Sequence, residues 1–174
     1  MFKVISNQEL APDIKRIVLE APVVARKIQP GQFLVLKLTE NGERVPLTQA
    51  DSSPEKGEVT IVYQEVGKST KLLGTLKPGD GVLDLLGPLG VPIELKKYGT
   101  IVLLGGGVGI PPLYPKGKAL RKFGNYIISL IGARNKDLLV MEEEMKSISD
   151  ELVVTTNDGS KGRKGLVTDA LRDV

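Results

Sequence analysis

Apolar positions follow two different rhythms along this chain. Up to residue 97 they come in short runs, Phe2 to Ile5, Ile14 to Leu19, Phe33 to Leu38, Val59 to Tyr63 and Val82 to Leu86, separated by Pro-Gly, Asn-Gly, Lys-Gly and Pro-Gly-Asp-Gly punctuation. Short runs with turn chemistry between them predict the strands of a small antiparallel barrel or sandwich. From Tyr98 the grammar changes. Ile101 to Leu104 reads as a buried strand that ends in Gly105-Gly106-Gly107, followed by a helical stretch to Lys122 and a second strand from Tyr126 to Ile131. A helix opened by Asp137 as N-cap, a third strand from Glu151 to Thr155 and a final short helix from Leu166 complete the pattern. Alternating strands and helices predict a parallel, doubly wound sheet with right-handed crossovers. Two domains are therefore expected, 1–97 and 98–174.

Composition narrows what such a chain can do. Its 174 residues are 41% apolar and 26% charged, with 24 Lys and Arg against 21 Asp and Glu. These values suit a globular protein, and the interspersed charges form no basic stripe for nucleic acid. There is no Cys and no His. Thiolate nucleophiles, iron–sulfur ligands, ordinary zinc sites and Ser-His-Asp triads are thereby excluded from these residues. No apolar run approaches the roughly 18 residues of a membrane span, so a soluble, cytoplasmic protein without membrane or metal partners is expected.

Three segments carry candidate chemistry. Gly105-Gly106-Gly107-Val108-Gly109-Ile110-Pro111-Pro112 takes a strand into glycines that let backbone amides approach a pyrophosphate at the start of a helix. Position 112 is Pro where a third Gly of the dinucleotide fingerprint belongs, so a tight strand-to-helix turn is an equal reading. Gly67-Lys68-Ser69-Thr70 resembles a P-loop ending, but Val62 stands where that motif needs Gly. What remains is a glycine turn into a short helix whose amides and hydroxyls suit a phosphate, or simply a capped surface helix. In Arg44-Val45-Pro46-Leu47-Thr48, Arg44 is either a bidentate phosphate ligand or a solvated charge.

Taken in order, Arg-x-Pro-Leu-Thr, Val-Gly-Lys-Ser-Thr, Gly87-Pro88-Leu89-Gly90 and Gly-Gly-Gly-Val-Gly-Ile-x-Pro resemble the ferredoxin–NADP reductase superfamily. The likeness extends over essentially the whole chain. It is nearest to the electron-transfer subunits of NADH-dependent ferredoxin:NADP oxidoreductase, also called sulfide dehydrogenase, and of dihydroorotate dehydrogenase.

The resemblance implies an antiparallel Greek-key β-barrel that binds FAD, followed by a Rossmann-like parallel α/β domain that binds NAD(P) and is incomplete at its C-terminus. It implies FAD contacts from Arg44, Pro46, Leu47, Thr48, Tyr63, Gln64, Gly67, Lys68, Ser69 and Thr70. For the nicotinamide nucleotide it implies Gly106, Gly107, Val108, Gly109 and Pro112, with Arg134, Asp158 and Gly159 nearby. Hydride would pass from the dihydronicotinamide to the flavin by alignment alone, with no catalytic acid or base from the protein, and electrons would go on to a larger catalytic subunit. Asp158 would repel a 2′-phosphate and favour NAD(H) over NADP(H). The resembling subunits continue with a further strand and a cysteine-rich [2Fe-2S] tail, neither of which these residues contain. A shortened chain is the expectation. A non-catalytic nucleotide- or partner-binding module on the same scaffold is the alternative from another class.

Overall fold

The computed structural model describes residues 1–173; Val174, the last residue of the expected second domain, lies outside them. The chain divides into two compact units, Met1–Ile93 and one that begins at Glu94, slightly ahead of residue 97.

The first unit is one antiparallel sheet of β1 (Phe2–Ala11), β2 (Ile14–Glu20), β3 (Phe33–Lys37), β4 (Arg44–Ser53), β5 (Glu58–Gln64), β6 (Gly81–Val82) and β7 (Asp84–Leu89). Their spatial order is β6-β1-β2-β5-β4-β3-β7, with the Greek-key run β2-β5-β4-β3 at its centre. A single residue, Leu83, separates β6 from β7, so the chain itself joins the two ends of the sheet and the barrel is nearly closed. Period-two alternation fills it: Val59, Ile61 and Tyr63 of β5 point inward with Ile17 and Leu19 of β2 and Leu34 and Leu36 of β3, all buried. Helix α1 (Pro22–Lys27), absent from the sequence expectation, starts on a proline and ends on Arg26 and Lys27, as the helix dipole favours. Helix α2 (Lys68–Thr75) is anchored by the buried side chain of Leu73. Burial of such a leucine contributes about 1.5–3 kcal/mol.

The second unit is a parallel sheet of β8 (Thr100–Gly106), β9 (Tyr126–Ala133), β10 (Glu151–Thr156) and β11 (Arg163–Lys164), with α3 (Leu113–Arg121), α4 (Glu142–Ile148) and α5 (Val167–Ala170). A Cβ on Gly117 of α3 would stand 2.5 Å from Ile148 of α4 and 2.7 Å from Leu103 of β8, so both helices cover the Leu103 face. Leu104, one residue on, packs with Ile128, Leu130, Val167 and Ala170 on the opposite face, beneath α5. The strand order β8-β9-β10-β11 runs in one direction. The reversal that defines double winding is therefore not seen among the described residues, although α5 has already changed face. Asn125 staples the entry to this sheet: its Oδ1 accepts from the amides of Tyr98 (2.6 Å) and Gly99 (3.1 Å), and its Nδ2 donates to the carbonyls of Lys96 (2.9 Å) and Leu120 (2.8 Å).

Two helix boundaries differ from expectation. The stretch up to Lys122 is split into a single 3-10 turn at Gly107–Gly109 and α3, which begins only at Leu113; Pro111 and Pro112 have no amide to donate to a continuous ladder. Asp137 is not an N-cap. Asn135 caps instead, accepting from the amides of Asp137 and Leu138, and the 3-10 turn Lys136–Leu138 stops before α4, which follows Met141 at φ 58°. No helix among the described residues is long and apolar enough to cross a membrane.

Candidate functional site

In the first unit β4 changes partner midway: Arg44 to Thr48 pair with β3, and Gln49 to Ser53 pair with β5. Between Arg44 and Thr48 the strand therefore has an unpaired side, which is why Pro46 costs no ladder bond there. Val45 lies opposite Leu36 and Leu47 opposite Leu34, so both share the inner face, while alternation turns Arg44, Pro46 and Thr48 to the other. Val45 and Leu47, with Leu36 and Leu38, meet Ser69, Thr70 and Leu73 of α2 around a small, shallow apolar hollow open to solvent. Two motifs that stand about twenty residues apart in the chain thus come together on one apolar hollow.

The amino end of α2 forms the polar rim of that hollow. The Thr70 hydroxyl accepts from the Gly67 amide at 3.0 Å and donates to the Gly67 carbonyl at 3.1 Å, which holds the entry turn. The first amides of the helix have no intrahelical acceptor and sit at its positive end, the arrangement that binds anions. Gly67 has an extended backbone, φ −129°, and a Cβ there would meet nothing within 4 Å. The turn does not need a glycine; its bare Cα leaves space in front of the helix. Ser69 Oγ reaches Glu43 at 3.3 Å, and Lys68 is exposed on the first turn.

Several residues expected to meet FAD lie off this hollow. Arg44, Pro46 and Thr48 do not line the cleft. The Arg44 guanidinium donates to Asp84 at 2.8 Å on the outer face, where Lys37 lies opposite both residues in the strand register. Tyr63 is 2% exposed and its hydroxyl donates to Asn7 at 3.2 Å, so its ring is core and offers no side-chain contact to a ligand. Burial pushes its phenol up to about 12. Gln64 ends β5 half-exposed, just ahead of the Gly67 turn. Val45, Leu36, Leu38 and Leu73 were not foreseen as walls. The parity they share with Leu47 and with the helix periodicity was the available signal.

In the second unit the candidates gather at the carboxyl edge of the parallel sheet, the usual ligand edge of such sheets. Gly106 lies opposite Gly132, Gly132 opposite Thr155, and Ala133 opposite Thr156, so the loops after β8, β9 and β10 leave side by side. Backbone bonds from Asn157 N to Ala133 O (3.1 Å) and from Asp158 N to Arg134 O (3.3 Å) tie two of these loops together. Gly107, at φ 53°, needs its freedom, whereas a Cβ on Gly109 would meet nothing within 4 Å. Val108 is exposed at the tip and Pro112 is the N-cap of α3. The Asp158 carboxylate accepts from the Ser160 amide at 2.9 Å; hydrogen bonding from Ser160 holds it below the usual carboxylate range. Lys161 is drawn to Glu142, and the stem of Lys164 lies over Gly159.

Comparison with known proteins supplies a frame for both sites. The sequence profile of the oxidoreductase FAD-binding domain matches residues 1–92. A dihydroorotate dehydrogenase B (NAD(+)) electron transfer subunit homolog from Thermotoga maritima is 48% identical over 169 residues, covering 97% of this chain and 60% of that protein. The dihydroorotate dehydrogenase B (NAD(+)) electron transfer subunit of Bacillus cereus is 37% identical, covering 97% and 66%. Among solved structures, the NADH-dependent reduced ferredoxin-NADP oxidoreductase, studied for flavin-based electron bifurcation, matches with a TM-score of 0.94 and 47% identity over 99% of this chain and 62% of that one. The chain thus spans 60% to 66% of the length of these relatives.

Proposed function

This chain belongs to the oxidoreductase FAD-binding family, and from that premise we propose that it is the flavin- and nicotinamide-binding part of an electron-transfer subunit. In this reading it takes hydride from NAD(P)H onto FAD and relays electrons to a larger catalytic subunit. The observation that carries the reading is the cleft that joins Val45 and Leu47 to Ser69 and Thr70. An apolar patch beside an open helix amino end suits the edge of a flat apolar ring with a diphosphate next to it, and the vacant Cβ position at Gly67 gives such a group room to approach the amides.

When bound, FAD supplies the two-electron acceptor chemistry that no side chain here can offer. The chain's own work is binding and alignment. Val45 and Leu47 keep water from one side of the cleft; Ser69 and the first α2 amides hold the diphosphate, and the Thr70 hydroxyl holds the turn that presents them. At the carboxyl edge of the second unit, Gly106 to Gly109 and the start of α3 hold the pyrophosphate of the nicotinamide nucleotide, with Arg134 and Gly159 beside it. The Asp158 carboxylate accepts from a ribose diol and repels a 2′-phosphate, which favours NAD(H). A [2Fe-2S] cluster does not fit these residues, which contain no Cys.

Likeness to both kinds of relative leaves two partner classes, a ferredoxin-linked oxidoreductase and a dihydroorotate dehydrogenase. An absorption spectrum of the chain after FAD addition and removal of excess, followed by anaerobic NADH, tests the function itself. Bound flavin that bleaches with NADH is expected. Bound flavin that stays oxidised would refute the nicotinamide assignment, and absence of bound flavin would refute both.

A further inference from the structure

We propose that Asn7 is a positioning residue for the diphosphate end of FAD, acting through α2; the inference rests on the reading of the cleft given above. The last turn of any helix leaves carbonyls without intrahelical donors. In α2 the barrel wall takes them. Asn7 on β1 donates through Nδ2 to the carbonyls of Leu73 and Leu76, each at 3.0 Å. Its Oδ1 accepts from the buried Tyr63 hydroxyl of β5 at 3.2 Å, which fixes the orientation of the amide, oxygen toward the phenol and nitrogen toward the helix. Lys15 on β2 donates to the Gly74 carbonyl at 2.9 Å and is held by Glu65 at 3.2 Å, and its charge suits a helix carboxyl end. The Thr75 hydroxyl donates back to the Leu72 carbonyl at 2.8 Å.

Side chains from two strands, β1 and β2, therefore grip one end of α2, with β5 orienting the first of them, and Leu73 pins the helix in the core. Neither Asn7, Lys15 nor Tyr63 lines the cleft. Their effect on a ligand passes through the helix: with its carboxyl end bolted, α2 has one setting, and that setting brings Ser69, Thr70 and the first amides to the rim. Hydrogen bonds weaken steeply as a donor swings out of line, so a helix free to rock would hold a diphosphate poorly while the apolar wall of the cleft stayed as it is.

The test compares FAD with riboflavin, which shares the ring and lacks the diphosphate, by flavin fluorescence on the full 174-residue chain. If the wild-type chain binds no FAD, the cleft reading falls and this inference with it. If it does, Asn7→Ala is expected to weaken FAD about tenfold while riboflavin stays within about twofold. Equal losses for the two ligands, or unchanged FAD affinity, would overturn the assignment. Tyr63→Phe removes only the hydroxyl that orients Asn7, and the same selective loss, about threefold, is expected from it; this variant serves if Asn7→Ala does not fold. Amide hydrogen exchange on the flavin-free chain is the second measure. Exchange in α2 should accelerate while β2 and β5 keep wild-type rates; uniform acceleration would mark a merely structural role and refute positioning.

Discussion

The Thr70 hydroxyl is the smallest group on which the proposed flavin site depends, and Thr70→Val removes it with little change of volume. It makes two bonds to Gly67, at 3.0 Å to the amide and 3.1 Å to the carbonyl, and it is 8% exposed. Gly67 itself is exposed, so water can reach both groups once the hydroxyl is gone. That keeps the cost near a capping contact, about 1 kcal/mol, below the penalty of a buried orphan. The corresponding change in the folding equilibrium is about fivefold. Because the lost bonds hold the turn that presents the first α2 amides, FAD affinity should fall by up to about fivefold as the binding-competent fraction drops. Urea unfolding of the flavin-free chain and FAD titration measure the two effects separately. Ser69→Ala is the control for stability: its exposed 3.3 Å bond to Glu43 contributes within about 0.5 kcal/mol. Loss of stability in Thr70→Val with unchanged FAD affinity would show that the amino end of α2 is not part of the site.

Arg44→Ala breaks an ion pair whose side chains are 51% and 43% exposed, so unfolding free energy should move by no more than about 1 kcal/mol. FAD affinity should change less than threefold; a loss of tenfold or more on titration would place the phosphates on the outer face of β4. Gly105→Ala would bring a Cβ within 2.7 Å of Leu113 and 3.0 Å of the Gly109 carbonyl, an overpacking worth about 1–3 kcal/mol in urea unfolding. The distorted loop should also weaken NADH binding, and retention of full NADH affinity would separate that loop from the nucleotide. Asp158→Asn should narrow the preference for NADH over NADPH in steady-state reduction, and a widened preference would reverse the assignment. The folded-state pKa of Asp158 lies below its ordinary 3.8, so the stabilisation it confers is full above that value and is lost as pH falls through the lower one. Asp158→Asn should therefore flatten the acid limb of the stability curve, read from urea midpoints.

Much of this architecture was legible because apolar runs and turn residues agree locally. The strands around Ile17, Leu36, Ile61 and Leu103 could be read from their own residues, and the change from β-like to alternating grammar marked two kinds of unit. Polar strands could not be read that way. β4 carries Arg44, Thr48, Gln49, Asp51, Ser52 and Ser53 and is interrupted by Pro46, so no hydrophobic pattern announces it, and only the switch of partner from β3 to β5 makes the proline tolerable. β1 runs on through Ser6, Asn7, Gln8 and Glu9 because its ladder with β2 outlasts its apolar face. The split before α3 follows from two prolines that the helical periodicity alone overrides.

The site shows where motif and parity part company. A motif names neighbours in sequence, whereas a strand sends neighbours to opposite faces. Arg44, Pro46 and Thr48 share one parity, and Val45 and Leu47 the other; no single surface of β4 can therefore present the whole motif to one ligand group. Tyr63 is decided by the same rule, since Val59 and Ile61 already commit its parity to the core. The glycines give the complementary lesson. Gly107 is explained by its backbone angle, but Gly67 and Gly109 have neither a positive φ nor a neighbour that a Cβ would strike. Neither is required by the fold, and each leaves open space beside the backbone that the proposed nucleotide sites use. In a chain without His or Cys, the proposed function rests on such openings in front of a helix's first amides, which would align a cofactor and leave the electrons to it.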